Sequence, residues 1–453
     1  MKLLGLSKDE AGKALEEGKV TVSIYGLGKM GLPLAAIFAD RGAKVVGVDI
    51  SEDVVKRVNR GENHIREEPG LGEILRRNVE AGRIIATNDG VAAAQQSDVM
   101  IIIVPTLVGE KGELRIQPVY EAAKWIARGL KKGDLVITEA TMPPGTTESL
   151  LDILKESGLS SGEFGLAHAP ERTMTGTAIR DITGEYPKIV GASDSKTLEA
   201  VIGIYERINR KGVIPMSSIK AAESVKVFEG IYRDVNIALA NELALWCEGE
   251  GLDALEIFRA ANTQPYCSLH MPGAGVGGHC IPVYPWFVIN HSKADMKLVK
   301  TAREINDSMP RHMVDLIVKG LTSAGRNIKG SNILVAGLSY RGGVREFANS
   351  PAIKIIKELN RRGAKAYAYD RYCKPEDAKR FGAEWKEDYE EIDALVIANE
   401  SIMIDLEKLR NEMRTKIIVD GRNVLDQERA RAFGFSYFRA GLGCYSAIRL
   451  KNP

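Results

Sequence analysis

From Gly275 to Phe287 the chain reads GVGGHCIPVYPWF, a single cysteine between a glycine-rich approach and a proline-rich exit. A thiol is a nucleophile or metal ligand when ionised and an inert small hydrophobe when buried. A glycine-lined loop with cationic neighbours is one way to depress its pKa from about 8.5. Zinc is disfavoured, because His279 and Cys280 are adjacent and the spacing of Cys267 and His270 matches no zinc pattern. Cys280 therefore stays open between nucleophile and buried thiol. His279, which follows two glycines, reads as a residue that braces the loop by a hydrogen bond.

A second stretch, Gly26-Leu-Gly28-Lys-Met-Gly31, follows the apolar run VTVSIYG and opens a helix. The first glycine permits a tight turn, the second lets backbone approach a pyrophosphate and the third allows close helix packing, while the helix N-terminus favours the anion. About 20 residues on, Asp49 ends the next strand, a spacing at which a carboxylate accepts ribose hydroxyls. Its charge repels a 2′-phosphate, which favours NAD over NADP.

Three more stretches could carry chemistry. TEATMPPGTT, from Thr138 to Thr147, follows the strand LVIT, where doubly wound sheets place ligands; either Thr141 or Glu139 faces the cofactor's reactive end, or this is a plain proline-bearing loop. In the proline-free segment from Ser217 to Leu252, Lys226 and Arg233 share a helix face, with Glu223 nearly on it and Glu229 and Asn236 beside it. That face is either solvated or holds a desolvated lysine able to stabilise an oxyanion. The turn GLSYRGG, from Gly337 to Gly343, with Arg341 and Arg345, offers donors to a phosphate, and it lacks the spacing of a second dinucleotide site.

The elements that must position these residues follow from the hydrophobic pattern. Short apolar runs alternate with helical segments from Val20 to Val213, at VMIIIVP, GDLVITEA, FGLAHAP and PKIVGAS, as in a mostly parallel, doubly wound sheet. A helical section follows, with the Cys280 loop inside it and Pro310 expected to bend or divide its last helix. At SNILVAGLSYRGG the strand and glycine turn return, followed by AKAYAYD, DALVIAN and KIIVDGRN. The expected fold is α/β: two Rossmann-like doubly wound domains joined by a helical middle section with a long central helix. The expected divisions are a polar, helical N-terminal arm at 1–19, a cofactor domain at 20–213, a helical domain at 214–324 and a second α/β domain at 325–453.

Composition excludes several classes. Across 453 residues, 62 basic side chains face 60 acidic ones, so no global field recruits nucleic acid or an acidic membrane, and a small-molecule partner is expected. Five cysteines without a CxxC pair do not make a disulfide framework and suit a reducing cytosol. No apolar run approaches the ~20 residues of a membrane span, and the N-terminus lacks a signal-peptide pattern, so a cytoplasmic location is expected.

In order along the chain, GLGKMGLP, TMPPGTTE, HAPER, RDVNIALANEL, PGAGVGGHCIPVYPWF, TAREIND and GLSYRGGVREFANSPA together resemble the UDP-sugar 6-dehydrogenase family, most closely its UDP-N-acetyl-D-mannosamine dehydrogenase branch. The resemblance implies NAD-dependent four-electron oxidation of a UDP-N-acetylhexosamine at C6 to the uronate, through a thiohemiacetal and a thioester. It makes Cys280 the nucleophile, Lys226 the oxyanion stabiliser and Thr141 a candidate for positioning the hydrolytic water. It assigns cofactor contacts to Gly26, Gly28, Lys29, Met30, Gly31, Asp49, Thr106 and Thr141. Substrate contacts fall to Glu171, Arg172, Lys226, Arg233, Asn236, His270, Gly277, Tyr340 and Arg341. No metal is implied, and a homodimer through the central helix, 217–249, is.

The chain also departs from the family pattern. Gly230 stands where the family has an asparagine, Tyr284 where it has an aspartate, Glu346 and Ala348 where it has Asp-x-Arg, and Tyr266 where the branch has an arginine. On these residue types the lysine loses a negative neighbour, the oxyanion loses an amide donor, and Arg345 is the nearest replacement for a lost phosphate contact. Two alternatives follow: a low-activity nucleotide-sugar-binding relative, or a single-step NAD-dependent dehydrogenase of the hydroxyacid type, which needs neither a thiol nor a second α/β domain.

Overall fold

The computed structural model describes residues 1–109, 113–400 and 402–443; Cys444 and the rest of the expected C-terminal domain to 453 lie outside them. The chain forms two compact units, one from Met1 to Glu229 and one from Gly230 onward. The division falls inside a single 31-residue helix, Ile219–Gly249, here called the central helix. Among the described residues, no helix is long and apolar enough to cross a membrane.

In the first unit β1 (Thr21–Tyr25), β2 (Lys44–Val48), β3 (Ile84–Thr87) and β4 (Val99–Ile102) are followed by a small hairpin, β5 (Leu107–Val108) and β6 (Leu114–Arg115). The sheet then continues with β7 (Leu135–Thr138), β8 (Gly165–His168), β9 (Lys188–Ala192) and β10 (Val213–Pro215). Its order is β10-β9-β8-β7-β4-β1-β2-β3. All neighbours run parallel except β8 and β9, a reversal that the apolar pattern did not signal. Every position of VMII, LVIT and GLAH is buried, as expected of strands covered by helices on both faces.

The N-terminal arm carries a helix, Lys8–Glu16, as expected, and this helix packs on the first unit. Ser7 caps the helix Lys8–Glu16, its hydroxyl accepting the Glu10 N–H while the Glu10 carboxylate accepts that of Ser7. Ala11, Ala14 and Leu15 are buried against the helix Ser195–Glu206. Gly12 and Gly203 make that crossing close: a Cβ on Gly203 would lie 2.0 Å from the Lys8 carbonyl oxygen.

In the second unit β11 (Asn332–Ala336), β12 (Lys365–Tyr369), β13 (Glu384–Trp385), β14 (Ala394–Ile397), β15 (Ile417–Asp420) and β16 (Ser436–Arg439) form a wholly parallel sheet, in the order β13-β12-β11-β14-β15-β16. The helix Lys297–Ser323 packs Met309, Met313, Ile317 and Leu321 into this sheet's core. It runs unbroken through Pro310, contrary to the expected division. A proline has no N–H for the carbonyl four residues back, here that of Asn306. Gly275, at φ 116°, packs at this point, where a Cβ would lie 3.1 Å from that carbonyl oxygen and 3.1 Å from the proline ring.

Four buried polar side chains join the central helix to this one. Asp234 Oδ1 accepts from Arg303 at 2.5 Å and from the Asn306 amide at 2.8 Å. Asn306 Oδ1 accepts from the Asn241 amide at 2.9 Å, and Asn241 Oδ1 accepts the N–H of Gly273 at 2.9 Å, at the start of the cysteine loop. Arg303 continues outward to Asp307, which Lys354 also holds. Burial pushes the Asp234 carboxyl above its ordinary range against the pull of the Arg303 charge, so this aspartate depends on its partner.

Two substitutions test these packings. Arg303→Met leaves Asp234 buried without its cation and is expected to cost about 3–5 kcal/mol in urea denaturation, where a loss under about 1 kcal/mol would contradict a desolvated pair. Gly203→Ala forces the N-terminal helix away from its neighbour and is expected to cost about 1–3 kcal/mol; an unchanged midpoint would show that this crossing is loose.

Candidate functional site

In the first unit the turn after β1 is built by two glycines. Gly26, at φ 103°, takes a conformation that other residues rarely adopt, and a Cβ on Gly31 would sit 1.8 Å from the Gly26 carbonyl oxygen. Gly28 is exposed, with nothing within 4 Å of where its Cβ would be, so a ligand can approach the backbone there. Asp49 accepts the Leu27 N–H on Oδ2 at 3.0 Å and the Ser51 N–H on Oδ1 at 2.9 Å. Each oxygen keeps lone-pair capacity for a ribose hydroxyl. Lys29 lies 3.9 Å from Glu67, and Met30 Sδ accepts from the Thr173 hydroxyl at 2.9 Å. These residues fit a dinucleotide: open backbone at the pyrophosphate position and a carboxylate braced by its own turn.

The loops after β7 and β8 are pinned by the first turns of the central helix. The buried Glu223 accepts the N–H groups of Gly145 at 2.5 Å and Thr147 at 2.8 Å, which fixes the loop carrying Thr141. Burial raises the Glu223 carboxyl against those hydrogen bonds. The Thr141 carbonyl accepts from the Thr106 hydroxyl at 2.7 Å, bringing these two cofactor candidates together. Glu139 faces the interior rather than a cofactor, with Lys188 at 2.6 Å and the Tyr205 hydroxyl bonded to it.

Lys226 is buried, which removes the solvated-face alternative, and its ammonium donates to the Glu171 carbonyl and, at 2.9 Å, to the Glu171 carboxylate. Burial alone would raise Glu171, but the Lys226 charge and the hydrogen bonds from Thr173 outweigh it and hold the carboxyl below its ordinary range. Lys226 therefore has a carboxylate partner within its own unit, the glutamate of the HAPER motif. Arg172, the next residue, pairs with Glu229 at 2.5 Å and stacks over Tyr186 at 4.9 Å. Behind them His168, bonded to Thr138 at 2.8 Å, is pushed down to about 3 by burial and then by the charges of Lys188 and Lys226, and is neutral.

In the second unit the cysteine loop is clamped along its length. Cβ atoms on Gly277 and Gly278 would lie 2.7 Å and 2.9 Å from Tyr340, so both glycines are needed for its ring to lie against the loop. Gly278 donates its N–H to the Ala348 carbonyl at 2.8 Å and accepts the Asn349 amide at 3.0 Å. His279 pairs with Glu346 at 2.5 Å, the bracing role its position suggested. Cys280 itself is exposed, whereas Cys247 is buried, so Cys280 is not a buried thiol. Among the described residues, no group of three or more His, Cys, Asp or Glu is placed to hold a metal.

The turn after β11 shows why a second dinucleotide does not fit there. Asp370 is fully buried and accepts from the N–H groups of Leu338, Ser339 and Tyr372 and from the Asn399 amide, while Asn399 fills the space beside Gly337. Arg341 lies 5.9 Å from the Tyr340 ring, and its buried Nε has no hydrogen-bond partner among the described residues, which suits an anionic ligand. Arg345 is not the replacement phosphate contact that its position suggested: it is held in a two-point bond to Asp377 at 2.7 Å and 2.8 Å.

Three substrate candidates enter none of these clamps. Arg233 is exposed, Asn236 turns its amide to the Tyr232 carbonyl, and His270 is half-buried in the loop after the helix Ala254–Ala261. Tyr266, where the pattern has an arginine, is 93% exposed. Sequence reasoning missed the structural tasks of Glu223, Asp234, Asn241, Arg303 and Asn306. The signal was available, since Asp234 and Asn241 lie seven residues apart on one helix face, and Arg303 and Asn306 three apart on another.

The chain matches three domains of the UDP-glucose/GDP-mannose dehydrogenase family: the NAD-binding domain over residues 20–209, the central domain over 220–308 and the UDP-binding domain over 334–427. It is 37% identical over 414 residues to a UDP-N-acetyl-D-mannosamine dehydrogenase of Pyrococcus horikoshii, covering 90% of this chain and 96% of that one. It is 39% identical over 348 residues to a UDP-N-acetyl-D-mannosamine dehydrogenase of Campylobacter jejuni, covering 75% and 83%. The solved structure of the Pyrococcus horikoshii UDP-D-ManNAc dehydrogenase superposes with a TM-score of 0.84 at 33% identity, over 94% of this chain and all of that one. That of an NDP-N-acetyl-D-galactosaminuronic acid dehydrogenase from Methanosarcina mazei gives 0.83 at 29% identity, over 97% and 98%. With its glycine turn, its exposed loop cysteine and its three matched domains, the chain belongs to the UDP-glucose/GDP-mannose dehydrogenase family, as an NAD-dependent UDP-sugar dehydrogenase.

Proposed function

We propose that the chain oxidises a UDP-N-acetylhexosamine, UDP-N-acetyl-D-mannosamine first among them, at C6 to the uronate, with Cys280 as covalent nucleophile. The observation that carries this reading is the exposure of Cys280 on a loop clamped at Gly277, Gly278 and His279 by Tyr340, Glu346, Ala348 and Asn349. An exposed thiol on a fixed loop suits attack on a carbonyl carbon.

Bound NAD would supply the hydride acceptor for each of two oxidations. The Cys280 thiolate adds to the C6 aldehyde, forming a C–S bond, and the resulting thiohemiacetal retains the aldehyde in the site. Loss of hydride from that carbon leaves a thioester. Water then adds, the C–S bond breaks, and carboxylate and thiol are released, so that alcohol, two NAD and one water become uronate, two NADH and three protons. Lys226 stabilises the oxyanion in these steps, with Glu171 as its counter-charge, and Thr141 positions the water. Arg341 and Tyr340 receive the UDP, and Asp49 the cofactor ribose.

Both alternatives have a feature against them. The six-stranded sheet of the second unit is what a hydroxyacid-type dehydrogenase lacks. The binding-only alternative drew on Gly230 and Tyr284, and against it stand the retained Cys280, which is exposed, and the retained Lys226, which is paired with Glu171. The central helix also exposes Phe228, Tyr232, Leu239 and Trp246 at spacings of four, seven and seven residues, an apolar stripe that supports a homodimer through this helix. A biosynthetic role in the cytoplasm goes with this substrate class.

Stoichiometry is the test of the reaction: NADH counted against uronate should give a ratio of two, and a ratio of one, or Cys280→Ser with unchanged turnover, would sink the thioester route. Lys226→Met is expected to lower kcat by about 10²–10³-fold, as for loss of an oxyanion donor. Asp49→Asn is expected to raise KM for NAD by about 10–100-fold and to narrow its lead over NADP, as for loss of a charged hydrogen bond. Leu239→Glu with Trp246→Glu should halve the mass measured by light scattering, whereas an unchanged mass removes the helix from the interface.

A further inference from the structure

Gly230 and Tyr284, two of the positions that depart from the family pattern, face each other. Gly230 is buried in the interior of the central helix, where glycine is otherwise a poor choice. A Cβ on it would lie 2.4 Å from Tyr284 Cδ2 and 3.2 Å from both Cβ and Cγ of that residue. The ring rests on bare helix backbone, at a depth that any side chain at position 230 would obstruct. Tyr284 is itself buried and packs on Phe287, with ring centroids 5.7 Å apart.

The backbone of Tyr284 is joined to that of Cys280. Tyr284 begins the helix Tyr284–Ile289, and its N–H donates to the Cys280 carbonyl at 2.9 Å, while that of Val283 donates to the same oxygen at 3.0 Å. Two bonds on one carbonyl tie the Cys280 backbone to this first turn, and the seat of the ring on Gly230 fixes where the turn lies.

We propose that Gly230 and Tyr284 form a lock that positions Cys280, with Tyr284 the positioning residue and Gly230 its seat. The two departures are then one exchange, in which a pair of polar side chains gives way to a ring and the space that admits it. The inference rests on the reading of Cys280 as nucleophile.

The test is a double-mutant cycle on the full chain with Gly230→Ala, Tyr284→Ala and both together, plus Tyr284→Phe. Two quantities are read: kcat and KM with NAD and a UDP-N-acetylhexosamine, and the iodoacetamide alkylation rate of Cys280, resolved by peptide mass spectrometry. Gly230→Ala and Tyr284→Ala should each lower kcat about tenfold or more with KM for NAD within about twofold, and each should change the alkylation rate about threefold or more, as for a misplaced reacting group. The double variant should lose less than the product of the two single losses, because the alanine at 230 then meets no ring, and Tyr284→Phe, which keeps the ring, should retain clearly more of kcat than Tyr284→Ala. Effects that multiply, a folded Gly230→Ala with parental kcat and alkylation, or a Tyr284→Phe that falls as far as Tyr284→Ala would overturn the lock. Should Gly230→Ala not fold, Tyr284→Leu is read instead: it should change both quantities in the same direction, and parental values in both overturn the lock. Full turnover in Cys280→Ser would defeat the nucleophile reading alone, since the alkylation cycle still reports whether the pair positions the thiol.

Discussion

Burying Glu223, Lys226, Asp234 and Asn241 on one helix obliges the fold to supply each with a partner, because an unpaired polar group out of water costs more than a hydrogen bond returns. Each partner is a segment that carries or steadies a candidate site residue. Glu223 takes the backbone of the Thr141 loop, and Lys226 takes Glu171 at the end of β8. Asp234 takes Arg303 and Asn306 of the proline-bearing helix, and Asn241 takes Gly273 where the cysteine loop starts. Within each unit, placement of the candidate residues is therefore inseparable from satisfaction of the central helix.

Glycine performs the complementary task. At Gly277 and Gly278 the missing side chains admit Tyr340, at Gly275 they admit the Pro310 turn, and at Gly230 they admit Tyr284. In each case the absence of a Cβ lets a loop approach a rigid element at a distance that other residues would prevent. The departures at Gly230 and Tyr284 look damaging when each is weighed alone. Seen as facing positions, they fit one another, since the ring of Tyr284 occupies the space that a side chain at position 230 would take.

Much of this was legible in the sequence. The glycine turn, Asp49, the alternation of strands and helices and the return of the pattern at Ser331 are local features, set by spacing over a few residues, and they appear where they were expected. What escaped reading depends on long-range partners. Glu139 and Arg345 both sit at positions that suggest ligand contact, yet Lys188, Tyr205 and Asp377 turn them to structural use. No local pattern distinguishes an arginine waiting for phosphate from one already held by an aspartate 32 residues away. Pro310 likewise reads as a bend or a division, and the helix continues through it with Gly275 packed against the proline ring.

The central claim is that Cys280 forms a covalent bond with the substrate carbon. Acid quenching during turnover with saturating NAD and UDP-N-acetylhexosamine, followed by proteolysis and mass spectrometry, tests it most directly. The account predicts a uronyl thioester on the peptide containing Cys280, absent when NAD is omitted. An unmodified Cys280 peptide throughout steady turnover, with uronate accumulating, would contradict it.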